Sequence, residues 1–96
     1  MLIPTYPLKA IVTARPESVR ALTEKWLARH NVKYDYLIMR PDDMAANFDN
    51  VVKMKVDVAK LIKPFWVWER NYEAAKEIHR RAKRPVLCTQ TMTLFS

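Results

Sequence analysis

The densest chemistry-bearing feature of the sequence is the run His79-Arg80-Arg81-Ala82-Lys83-Arg84, where four cations and an imidazole fall within six residues. Such a run suits phosphate oxygens or carboxylates, because guanidinium and ammonium groups donate charge-assisted hydrogen bonds. It is also what the negative end of a helix dipole favours at a C-terminus. Glu69-Arg70 is a second feature: Glu69 could serve as a metal ligand, or it could pair with Arg70 or a nearby lysine. Cys88 is the single cysteine and is flanked by Pro85-Val86-Leu87, so it cannot form an internal disulfide and reads as a buried, inert thiol. His30 and His79 lack a partner at metal-ligand spacing and read as helix-surface residues.

These residues need elements to position them. Leu8 to Thr13 reads as a short buried strand after an N-terminal arm, 1–7, in which Pro4 and Pro7 disfavour an inner strand. Pro16 and Glu17 suit the first turn of a helix with Val19, Leu22, Trp26 and Leu27 on one face, ending near His30-Asn31. Tyr34 to Met39 is a second strand, and 41–49 is polar and loop-like. From about Asn50 a helix carries Val51, Met54, Val58, Leu61 and Ile62 on one stripe and ends before Pro64. Phe65 to Trp68 is a third strand, with Trp66 and Trp68 expected in the core. Tyr72 to Arg84 forms a helix burying Ala75, Ile78 and Ala82. Pro85 to Thr89 is a fourth strand, extended by Thr91 to Leu94.

Strands alternating with helices predict an α/β fold: three layers around a mostly parallel four-stranded sheet, in one domain spanning 1–96. The chemistry of such sheets gathers at the carboxyl ends of the strands, here Thr13-Ala14-Arg15, Met39-Arg40-Pro41, Trp68-Glu69-Arg70 and Thr89-Gln90.

Composition narrows the function classes. The chain has 96 residues, half of them hydrophobic, which suits a globular protein with a modest core. A formal net charge of +7 favours anionic partners, an acidic protein or nucleic acid. Neither a signal peptide nor an apolar run of membrane-spanning length is evident, which predicts a cytoplasmic protein with no membrane partner. Glycine is absent altogether.

The strand ends, set side by side, resemble the haloacid-dehalogenase (HAD) superfamily of phosphatases. Within it they are most similar to the 3′-phosphatase domain of bacteriophage polynucleotide kinase and its phage and bacterial relatives. The resemblance covers about residues 8–90. It rests on Ala10-Ile11-Val12-Thr13-Ala14-Arg15, Leu37-Ile38-Met39-Arg40-Pro41, Asp49-Asn50-Val51-Val52-Lys53 and Val67-Trp68-Glu69-Arg70. It implies that Thr13, Arg15, Lys53 and Arg70 are remnants of a phosphate site, with Glu69 a remnant metal ligand.

The departures from the family weigh as much as the matches. The family's Asp-x-Asp nucleophile motif is missing, since no Asp or Glu precedes Thr13. No aspartyl-phosphate could then form, and no other side chain is an evident replacement. The acidic pair that would hold Mg²⁺ is reduced to Glu69, so a magnesium cofactor is expected only if a partner supplies the aspartates. In the family the lost strand lies between those matching 8–13 and 65–68. The resemblance therefore predicts that these two close up directly, or that a second copy or a partner fills the slot.

The expected function is that of a catalytically inactive, truncated HAD-like binding or regulatory protein, of the kind a phage could use against a host protein. The basic residues Arg40, Arg80, Arg81, Lys83 and Arg84 are its expected binding surface. The alternatives are one part of a split polynucleotide 3′-phosphatase and a nucleic-acid-binding module.

Overall fold

The computed structural model describes residues 8–96; the N-terminal arm read from 1–7 lies outside the described residues. The chain divides into two units, 1–46 and 47–96.

In the first unit, β1 (Leu8–Pro16) pairs in parallel with β2 (Tyr34–Arg40), and a 3-10 turn at Glu17–Val19 leads into α1 (Arg20–Arg29). The register runs from Leu8 opposite Tyr34 to Thr13 opposite Met39, and an irregularity follows before Pro16. Leu27, Leu37 and Met39 form the core, with Ile11, Val19, Val32 and Tyr34 packed on it. The predicted face of α1 is buried in part: Leu27 lies in the core with Val19 packed on it. Leu22 is 62% exposed and Trp26 stacks on His30, while Thr23 is buried beside Leu27. Thr23 tolerates burial because its hydroxyl donates to the Val19 carbonyl at 3.0 Å, so no polar group is stranded.

The second unit contains α2 (Phe48–Ile62), β3 (Val67–Glu69), α3 (Tyr72–Ala82), β4 (Val86–Cys88) and β5 (Thr93–Phe95). Each helix starts on an asparagine cap. Asn47 Oδ1 accepts from the Asn50 amide at 2.8 Å, and Asn71 Oδ1 from the Ala74 amide at 2.9 Å. Asp49 and Glu73 add negative charge in the first turns. Each helix ends on a lysine in the left-handed region, Lys63 and Lys83, the position glycine would normally take. Val52, Val56 and Ala59 of α2 pack with Ala74, Ala75 and Ile78 of α3 and with Val86 and Cys88. The buried stripe of α2 is thus rotated from the predicted one, and Leu61 is 83% exposed. The α3 prediction holds: Ala75 and Ile78 are buried and Ala82 packs against the core.

The described strands form two sheets, β1-β2 and β3-β4-β5, and this corrects the expected single, mostly parallel four-stranded sheet. β3 has three residues and hydrogen-bonds β4 in the second sheet. β3 starts at Val67 rather than Phe65, and Phe65 and Trp66 are exposed, against the expectation of a core Trp66; Trp68 is 36% exposed. Thr91 to Leu94 does not extend β4. Met92 takes a positive φ of 56° and reverses the chain, so β5 pairs antiparallel with β4.

Candidate functional site

The carboxyl ends of β1 and β2 adjoin through their parallel register. There the Thr13 hydroxyl accepts the Arg15 amide N–H at 3.2 Å, closing a local turn. Arg40 turns back on the backbone: its Nε donates to the Ala14 carbonyl at 2.8 Å, and its Nη1 to the carbonyls of Pro41 and Met44. One guanidinium therefore fixes both the exit from β1 and the loop after β2. Asp42 is engaged as well, its carboxylate accepting the Ser18 amide at 3.0 Å. Arg15 is exposed and has no side-chain hydrogen bond or ion pair among the described residues. The sequence marks Arg40 as a basic surface residue and carries no sign of this backbone clamp.

In the second unit, Glu69 lies at the carboxyl end of β3 and is 7% exposed. Its two oxygens are divided between two donors. Oε1 accepts from Lys55 Nζ at 2.7 Å and Oε2 from the Asn71 amide at 3.0 Å. Cys88, opposite Glu69 in register, is buried and donates from Sγ to the Arg70 carbonyl at 3.3 Å. The Thr91 hydroxyl, with the amides of Thr91 and Gln90, holds the Cys88 thiol below its ordinary pKa, against the opposing effect of burial.

Of the phosphate-site residues implied by the resemblance, Thr13 and Arg15 belong to the first unit, and Lys53 and Arg70 to the second. Lys53 is exposed and pairs with Asp57 one turn on, at 2.8 Å. The lysine that meets Glu69 is Lys55. The sequence did carry a signal for it: Lys55 falls between Val52, Val56 and Ala59 on the buried side of α2, and Lys53 has an acid four residues ahead. Arg70 is exposed and contributes its carbonyl to Cys88.

The basic run occupies the end of α3. Arg80 pairs with Glu77 at 2.7 Å, and the His79 ring nitrogen Nδ1 meets the Arg84 carbonyl at 2.9 Å. Lys83 is exposed, and no described residue accepts from the buried Nε of Arg84. The second unit holds ten Lys and Arg against five Asp and Glu, so most of the excess positive charge resides there.

Chemically, the Glu69 carboxylate is an acceptor with both oxygens hydrogen-bonded, one of them to an ammonium. No group of three His, Cys, Asp or Glu among the described residues could hold a metal ion. Glu69, the residue that the resemblance would place at a magnesium site, has one oxygen on Lys55 and the other on the Asn71 amide. No helix among the described residues is long and apolar enough to cross a membrane. Comparison with protein-family models, curated proteins and solved structures finds no match to this chain.

Proposed function

We propose that this chain is a catalytically inactive, HAD-like binding or regulatory protein that engages an anionic partner. The observation that carries this reading is the state of Glu69. The one acid at the end of β3 is closed off by Lys55 and the Asn71 amide, so it is used for structure. Thr13, Arg40 and Lys53 are likewise engaged with the Arg15 amide, with backbone carbonyls and with Asp57. The parallel pairs β1-β2 and β3-β4, each joined through a helix, support the HAD-like part of the proposal at the level of βαβ units. The charge excess of the second unit supports an anionic partner.

The test is phosphate release from an aryl phosphate and from a 3′-phosphorylated oligonucleotide in the presence of Mg²⁺. No turnover above the protein-free rate is expected. Turnover that Glu69→Gln abolishes would overturn the proposal.

A further inference from the structure

The topology of the second unit brings two cationic segments to one place. α2 ends at Ile62 and reaches the start of β3 through 63–66, while α3 ends at Ala82 and reaches the start of β4 through 83–85. β3 and β4 are parallel and in register, and the Val67 amide donates to the Pro85 carbonyl at 2.9 Å. Both connections therefore flank the same, N-terminal end of the sheet, opposite to the end carrying Glu69. One strip presents Lys60, Lys63, Phe65 and Trp66; the other presents Arg80, Arg81, Lys83 and Arg84.

Two properties of this pole go beyond what helix stability requires. Helix dipoles account for a cation or two at each C-terminus, yet residues 60–66 and 78–86 contain six Lys and Arg and no acid. Phe65 is 88% and Trp66 55% exposed, so two aromatic faces lie in water amid those charges. Neither segment carries Ser, Thr, Asn, Gln, Asp or Glu; the carboxylate that adjoins them is Glu77, which pairs with Arg80 at 2.7 Å, so the rest of the side-chain surface offers cationic donors and π faces. Such a surface can track phosphates and stack on bases, and it lacks the paired donors and acceptors that read base edges.

We infer that this pole binds single-stranded nucleic acid without sequence preference, with phosphates on the lysines and arginines and bases on Phe65 and Trp66. The inference rests on the reading of the chain as a binding protein and names the surface and the partner class. The two fail separately: phosphate release would overturn that reading, whereas the oligonucleotide experiment addresses only this pole.

The experiment titrates the full chain into a fluorescent oligothymidylate, an abasic oligomer of the same length and charge, a DNA duplex and poly-glutamate. Oligothymidylate is expected to bind tightest at low salt. Trp66→Ala is expected to weaken it about tenfold, the usual effect of losing one stacking platform. Trp66→Ala is expected to leave the abasic oligomer unaffected. The double change Lys63→Gln and Lys83→Gln is expected to reduce the slope of log K against log salt by about 1.4. Phe65 and Trp66 are exposed, so the variants are expected to unfold at the temperature of the parent, which circular dichroism checks. Equal affinity for the abasic oligomer, tighter binding of the duplex, binding of poly-glutamate as strong as that of oligothymidylate, or no binding at low salt would each overturn the inference.

Discussion

Replacing Lys55 with methionine isolates the one buried ion pair of the second unit. In the parent the two side chains are 22% and 8% exposed and meet at 2.7 Å. Methionine keeps most of the stem volume and removes the charge, so the Glu69 carboxylate retains the Asn71 amide alone. Removing one partner of a fully buried pair costs about 3–5 kcal/mol, mostly from the charge left behind. The partial exposure of Lys55 and the surviving amide bond lower this to about 2–3 kcal/mol. At about 4–8 °C per kcal/mol for a chain of this size, the midpoint is expected to fall by about 10 °C or more. Urea unfolding followed by both far-ultraviolet circular dichroism and tryptophan fluorescence measures the loss, and coincidence of the two probes tests whether one transition is involved. The double change Lys55→Met with Glu69→Leu is expected to restore much of the stability, since an apolar pair carries no desolvation penalty. A loss below about 0.5 kcal/mol for Lys55→Met alone would refute the structural role of Glu69. So would a Mg²⁺-dependent rise in midpoint, which would mark Glu69 as a ligand that lysine merely occupies.

Other perturbations separate the core from the surface. Ile78→Ala, at a site with no exposed area, is expected to cost about 2–5 kcal/mol by urea unfolding. Leu61→Ser, at 83% exposure, is expected to stay within about 0.5 kcal/mol. Arg20 and Arg80 hold the carboxyls of Glu17 and Glu77 below the ordinary carboxylate pKa, chiefly through side-chain hydrogen bonds. The stability these pairs contribute is fully present above the unfolded-state pKa and is lost as pH falls through the lower folded-state value. Both pairs are solvent-exposed, so Glu17→Gln with Glu77→Gln is expected to flatten the acid limb of the stability–pH curve only slightly, and less so at high salt. An acid limb that steepens in this variant would contradict the assignment.

The parts of the structure legible from sequence are those where one physical rule acts alone. Helix α3 is such a case: an asparagine cap, an acidic first turn, and Ala75 and Ile78 at helical spacing all point the same way. In helix α1 hydrophobicity and burial agree at Leu27 and Val19 and part company elsewhere. Thr23 satisfies its hydroxyl on the preceding turn and is buried, while Leu22 and Trp26 are left outside. β5 was hidden because alternation along Thr91 to Leu94 is the same for a continued strand and a returning one. The reversal depends on a positive φ at Met92, a residue type that gives no warning of it. The sheet itself was beyond reach for a similar reason, since periodicity identifies strands but not which open edges find partners. At the site, the helix geometry of α2 turns Lys55 toward Glu69 and leaves Lys53 to pair with Asp57.

The left-handed lysines at the ends of α2 and α3 connect stability to the cationic pole. Lys63 has φ 52° and Lys83 φ 57°, and each occupies the turn position where glycine avoids a Cβ clash. A non-glycine residue there costs about 1–2 kcal/mol, partly offset by the greater entropy that glycine loses on folding. Lys63→Gly and Lys83→Gly are therefore each expected to stabilise the chain by about 0.5–1 kcal/mol, a rise of a few degrees in midpoint. If the lysines serve only to end the helices, these variants are better proteins with no accompanying loss. If they belong to a surface that meets phosphates, the same variants lose affinity for oligothymidylate as they gain stability, the trade expected where a binding residue holds a strained conformation. Lys63→Asn and Lys83→Asn separate charge from strain, because asparagine tolerates the left-handed region without the ammonium. Stabilisation by both glycine and asparagine with undiminished oligonucleotide binding would assign the two lysines to helix termination alone and remove them from the pole.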